Sequence, residues 1–198
     1  NLVTNATWDD FWINEGFTVY FENRIMEKLY GRDYSEMLAA LSQRDLKVEV
    51  ENFIKEGKPE DTKLKLDLEG RNPDDGVTSI PYDKGYSFLR YLEEKVGREA
   101  FDEFLREYFD RHAFQTMTTE VFLEYLKKNL FEDKGLKYPK DEIDEWVYEP
   151  GLPETLPVIK SERFVVIEKE LQKWVDGMSA DEIDTANWTT HEWLHFIK

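Results

Sequence analysis

The chain has 198 residues, 40% hydrophobic and 15% aromatic, which is enough to build a core and sets it apart from a disordered polymer. Its 43 acidic residues against 26 basic ones give a formal charge of -17, which argues against nucleic acid or an anionic membrane as a partner. The absence of cysteine excludes disulfides and thiolate zinc sites, so any metal must be held by Asp, Glu or one of only three His.

In chain order, "TWDDFWINEGFTVYFENRIMEKLYG" predicts a long helix, with Thr7 as N-cap, acids in the first turn and Gly31 as the stop. Gly16 lies inside it, at a cost of about 1 kcal/mol relative to Ala. "DYSEMLAALSQRDLKVEVENFIKEG" predicts a second helix, opened by Asp33 and Glu36 in a capping-box arrangement and ended by Gly57. Residues 58–77 are punctuated by Pro, Gly and Asp and read as loop, with Leu64, Leu66 and Leu68 alternating as a short extended piece. Helical periodicity returns at "SIPYDKGYSFLRYLEEKVG", "REAFDEFLREYFDRHAF" and "TTEVFLEYLKKNLFEDKG", and "DEIDEWVY" ends a further short helix. The pattern is that of a mainly α bundle or array, not an α/β fold. Pro150, Pro153 and Pro157 then mark a stiff connector over 150–157 between a region 1–149 and a region 158–198, which holds two or three more helical pieces. No run approaches the roughly 20 apolar residues of a membrane helix, and the N-terminus lacks the basic-then-apolar order of a signal peptide.

By pattern alone, Glu15 is an ordinary ion-paired or solvated glutamate on a helix with Trp8, Phe11, Trp12 and Phe17 around it. Tyr82 is likewise a packed or interfacial tyrosine. The stretch "NLVTNATWDDFWINEGFTVYFENRI" changes those readings, because it resembles the segment that follows the zinc helix in the gluzincin aminopeptidases, the family of aminopeptidase N and leukotriene A hydrolase. In that family H-E-x-x-H is followed by a G-N-L-V-T segment and then by a glutamate in an N-E-G-F context, the third zinc ligand. "SIPYDKGYSFLRYLE" resembles the segment that carries the family's catalytic tyrosine, and "WVYEPGLP" resembles the junction with its C-terminal helical domain.

The resemblance implies a fold as well as a function. Residues 1–149 would be the helical lobe of a thermolysin-like catalytic domain, and 158–198 the first helices of a C-terminal helical domain. The parent protein would be a zinc-dependent aminopeptidase acting on peptides, with the H-E-x-x-H in a missing N-terminal part of the same protein and these 198 residues inactive alone.

Glu15 would be the metal ligand, giving zinc a hard oxygen beside two imidazoles. Tyr82 would be the catalytic O–H donor, aimed where negative charge develops. Glu22, seven residues on from Glu15 and on the same helical face, would orient a ligand histidine, or else pair with Arg24 or Lys28. Asp74 matches an acidic position near the substrate groove of the leukotriene hydrolase branch, although Asp74 and Asp75 also suit a simple turn. Val77 stands where that branch has a second tyrosine, which favours peptide hydrolysis over epoxide hydrolysis.

A second motif competes for the zinc. The C-terminal "NWTTHEWLHFIK" spells H-E-x-x-H with His191, Glu192 and His195. In the family, however, the glutamate ligand follows this motif, whereas Glu15 precedes it by almost the whole chain. Thr189 and Glu192 also form the capping box T-x-x-E, in which the Glu turns back to the N-cap amide and is not free as a general base. The alternatives are a noncatalytic helical interaction module, or a separate zinc hydrolase built on His191, Glu192 and His195 with a third ligand from Glu182, Asp184 or His112.

Overall fold

A computed structural model describes residues 2–197. The fold is mainly α-helical. The helices are α1 (Phe11–Tyr30), α2 (Arg32–Lys55), α3 (Ile80–Val96), α4 (Arg98–His112), α5 (Thr119–Leu126), α6 (Lys140–Tyr148), α7 (Glu162–Val175) and α8 (Thr190–Ile197). Two-residue strands β1 (Thr4–Asn5) and β2 (Thr116–Met117) pair in parallel, which ties the start of the chain to the segment before α5. They are too short to register as period-2 patterns in the sequence. None of the helices is long and apolar enough to cross a membrane, among the described residues.

The helix ends follow their residue chemistry. Asp9 and Asp10 lie in a 3-10 turn leading into α1, and Gly31 stops that helix at a positive φ that L side chains rarely adopt. Pro81 sits in the first turn of α3, where its missing N–H costs nothing, and Gly97 ends that helix. Thr118 caps α5 by accepting a hydrogen bond from the Val121 amide. Beyond α5 the chain continues through a π turn at Lys127–Phe131, with Leu130 and Phe131 buried. The alternating leucines 64, 66 and 68 form no sheet ladder. The Lys65 and Leu66 amides bond instead to the Val147 and Asp9 carbonyls, and Leu64 and Leu68 are buried.

The chain divides into two compact units. The first comprises Asn1–Glu22 and Ser42–Pro157, the second Asn23–Leu41 and Val158–Lys198. Aromatic side chains build the core of the first. The Trp12 ring meets Phe88 and Phe122 edge-on at 5.7 Å, and its indole N–H donates to Thr119 Oγ1 at 3.0 Å. Trp146 lies 5.7 Å from Phe88 and from Tyr91, and its indole N–H donates to Thr155. Aromatic pairs of this kind add about 0.5–1.5 kcal/mol each to the area they bury.

In the second unit α7 is capped by Ser161, whose hydroxyl accepts from the Phe164 amide, and packs with α8. Phe196 contacts Trp174 and Trp188, and Trp188 also meets Trp193.

Candidate active-site residues

Glu15 is placed by the two ends of its own helix turn. Five residues before it, Asp10 is fully buried. Its carboxylate accepts from Lys65 Nζ at 2.7 Å, from the Thr119 amide and hydroxyl at 2.9 and 2.8 Å, and from Thr7 Oγ1 at 2.7 Å. Burial pushes its carboxyl pKa up, but Lys65 and these hydrogen bonds outweigh that and hold it below the ordinary value. Next to Glu15, the Asn14 side-chain amide donates to Asn5 Oδ1, and the Asn5 backbone N–H donates to Asn14 Oδ1 at 3.0 Å. The start of α1 is thereby fixed both to β1 and to α5.

Tyr82 is placed by the first turn of α3. The Tyr82 and Asp83 amides both bond to the Ser79 carbonyl, at 3.2 and 2.9 Å. Lys84 is fully buried and donates to the Thr62 carbonyl at 2.9 Å and the Glu149 carbonyl at 3.2 Å. It thus ties α3 to the loop before it and to the end of α6. Burial presses the Lys84 ammonium down to about 7.

The structure brings Glu15 and Tyr82 together. The ring of Phe11, one turn before Glu15, meets Tyr82 edge-on at 5.9 Å. Burial raises the Tyr82 phenol above its ordinary value and the Glu15 charge raises it further, so the hydroxyl stays protonated and available as a donor. Glu15 is half-buried, and burial raises its carboxyl too. Neither a cation nor a hydrogen-bond donor contacts this carboxylate among the described residues. A desolvated carboxylate without a counter-charge has the chemistry of a hard-cation ligand, so Glu15 fits one position of a zinc site.

Glu22 is exposed, two turns along α1. Its charge acts on Asp83, which burial first, then Asp45 and Glu22, push up to about 6. Asp74 is exposed in the 3-10 turn Pro73–Gly76, with its amide bonded to the Asn72 side chain, and this turn packs against the Trp8–Asp10 turn that leads into α1. Sequence reasoning missed Asp10, Asp83 and Lys84. Asp83 and Lys84 flank Tyr82 on its C-terminal side, but adjacency alone does not reveal burial, and Lys is among the residue types least often buried.

The terminal His191, Glu192 and His195 are engaged elsewhere. Glu192 is buried, accepts from the Thr189 amide at 2.6 Å and faces Arg163 at 3.6 Å. The capping box is half formed, because the buried Thr189 hydroxyl has no partner. His195 stacks on Phe164 at 4.0 Å and meets Glu168 at 3.2 Å, while His191 lies edge-on to Tyr34. The third-ligand candidates are also occupied locally. Glu182 accepts from the Ser179 amide, Asp184 from the Ala186 amide, and His112 Nδ1 meets the Tyr108 carbonyl. No three His, Asp or Glu side chains converge into a metal-binding group among the described residues.

The chain is 33% identical over 204 residues to leucine aminopeptidase 2 of Ajellomyces capsulatus, covering all of this chain and 32% of that protein. Its fold superposes on that of yeast LTA4 hydrolase solved with bestatin, with a TM-score of 0.86 and 30% identity, over all of this chain and 33% of the other. An M1 zinc metallopeptidase from Deinococcus radiodurans superposes with a TM-score of 0.60 and 25% identity, over 79% of this chain and 31% of that one. The chain therefore spans about a third of the length of its relatives. Residues 1–146 match the peptidase family M1 domain, and the chain belongs to that family.

Proposed function

We propose that these residues form part of a zinc-dependent aminopeptidase that removes N-terminal residues from peptides. Residues 1–149 would be the helical part of its catalytic domain, 150–157 the linker, and 158–198 the start of a C-terminal helical domain. Glu15 is one zinc ligand. The two histidines and the general-base glutamate come from an N-terminal part of the same protein that is not among these residues. The supporting observation is the proximity of Glu15 to Tyr82, a carboxylate with no counter-charge among the described residues near a phenol held protonated.

Zinc, when bound, supplies Lewis-acid polarisation of the scissile carbonyl and lowers the pKa of a water molecule. The residues of this chain do the rest of the local work. Tyr82 donates its O–H to the oxygen on which negative charge develops, and Ser79 and Lys84 hold its helix turn so that no reorganisation is needed during reaction. Glu22 accepts from a ligand histidine and fixes its orientation. Asp74 borders the substrate groove, and Val77 leaves out the second hydroxyl that epoxide hydrolysis would use.

In the full-length enzyme, Tyr82→Phe should lower kcat by about 10² to 10³ with zinc retained, since one oxyanion donor is lost and no ligand is. Glu15→Ala should empty or loosen the zinc site. Equal zinc loss in the two variants would overturn the assignment.

A further inference from the structure

Helices α1 and α3 meet at a pair of glycines. A Cβ on Gly16 would lie 2.9 Å from both Cα and C of Gly85, and a Cβ on Gly85 would lie 2.8 Å from Gly16 Cα and 3.4 Å from the Trp12 carbonyl. Every one of those neighbours is backbone, so no side chain can swing aside to make room. Neither glycine has a positive φ, so conformational freedom does not account for them. Each costs its helix about 1 kcal/mol relative to Ala. What the pair provides is the close approach of two helices that carry Glu15, adjacent to Gly16, and Tyr82, one turn before Gly85.

The crossing has ties on both sides. Phe11 meets Tyr82 on the candidate-site side, and on the far side the Tyr20 hydroxyl donates to Glu93 at 2.5 Å. The Asp10 network anchors α1, and buried Lys84, next to Gly85, anchors α3. With both helices held, a methyl group between them has to be accommodated by a backbone shift, and that shift is passed to the ends.

We propose that Gly16 and Gly85 are positioning residues, whose contact sets the separation between Glu15 and Tyr82. The proposal rests on the functional reading given above. A misplacement of about 1 Å at a reacting constellation costs on the order of 10² in rate, which is the scale of shift that a methyl group in this contact demands.

The test uses the full-length enzyme, assayed where each variant is fully folded. Gly16→Ala and Gly85→Ala should each lower kcat at least tenfold, with zinc content retained and KM changed less than threefold. Leu105→Ala removes a buried side chain from α4 and serves as a control with a comparable loss of Tm. It should keep kcat within twofold. If the glycine variants lose Tm but match Leu105→Ala in kcat per folded molecule, the contact is packing alone and the proposal fails.

Tyr82→Phe is measured in parallel. If it leaves kcat intact, the functional reading fails first and takes the proposal with it. If neither alanine variant folds, Tyr20→Phe decides, because it releases the far tie and keeps both glycines. It should leave kcat within twofold, whereas a loss matching that of Tyr82→Phe would place control of the separation at Tyr20 and overturn the proposal.

Discussion

Lys84 offers a quantitative test of how α3 is held. Its ammonium is fully buried, and the described contacts give it two carbonyl acceptors and no carboxylate at ion-pair distance. Burial lowers its pKa from 10.5 to about 7. Between those values the unfolded chain binds the proton and the folded chain does not, so stability rises with pH through that window. Below about 7 both states are protonated and the full penalty is in place. The whole window corresponds to on the order of 5 kcal/mol. Lys84→Met removes the proton and keeps much of the volume, while leaving the Thr62 and Glu149 carbonyls without their donor at a cost of about 1–3 kcal/mol each. The stability difference between wild type and variant should therefore move in favour of wild type by about 2–3 kcal/mol from pH 7.5 to 9.5. Urea unfolding of the 198-residue chain at pH 7.5, 8.5 and 9.5, followed by tryptophan fluorescence, measures it. A difference that stays flat over that range would refute the argument that the ammonium is held in a desolvated site.

Asp10→Asn should destabilise the chain by about 3 kcal/mol, because it unpairs Lys65 and leaves an amide where four donors converge. The Asp10 pKa is lowered on folding, so its contribution is present above the ordinary carboxyl value near 3.8 and is lost as pH falls through the folded value. The variant's deficit should shrink accordingly in acid unfolding curves. Glu192→Ala should cost about 0.5–2 kcal/mol through loss of the α8 cap, read by thermal unfolding. The 198-residue chain alone should hold no stoichiometric zinc after dialysis, since one carboxylate does not compete with water and buffer, and His191→Ala should not change that. One tightly held zinc abolished by His191→Ala or His195→Ala would make the terminal pentapeptide the metal site instead.

What could be read from the sequence depended on how far apart in the chain the cause and its partner lie. The stop at Gly31, the first turn of α3 around Pro81 and the turned-back Glu192 all arise from contacts within four residues, and each is visible as a local string. Gly16 also appears in the sequence, but only as a cost to its own helix. Its reason is Gly85, nearly seventy residues later, and a single sequence does not pair them. The alternating leucines 64, 66 and 68 show the converse failure. Period-2 spacing picked out two buried side chains, Leu64 and Leu68, but it could not report that the backbone bonds go to Asp9 and Val147 rather than to a neighbouring strand. Family resemblance singled out Glu15 and Tyr82 because those positions belong to motifs. The residues that hold the two helices in place, Asp10 and Lys84, drew no such notice, since their effect lies in burial.

Those two buried charges hold their helices by opposite means. Asp10 is a satisfied anion, with a cation and three further donors, so the low dielectric around it strengthens every bond it makes. Lys84 is a cation whose hydrogen bonds go to two carbonyls, and burial outweighs the charges of Glu145 and Glu149 and favours loss of the proton. The first arrangement is unchanged at neutral pH, well above the carboxylate range, and the second weakens as pH falls from the ordinary lysine value toward about 7. As pH falls from the ordinary lysine value toward about 7 the anchor on α3 is therefore strained while the anchor on α1 is unchanged. A loss of rigidity in this unit as pH falls from about 10 to about 7 should begin around Lys84, at the Thr62 and Glu149 carbonyls, with the Asp10 contacts still closed. Amide exchange followed segment by segment would locate it, and earlier opening around Thr119 than around Thr62 would reverse the assignment.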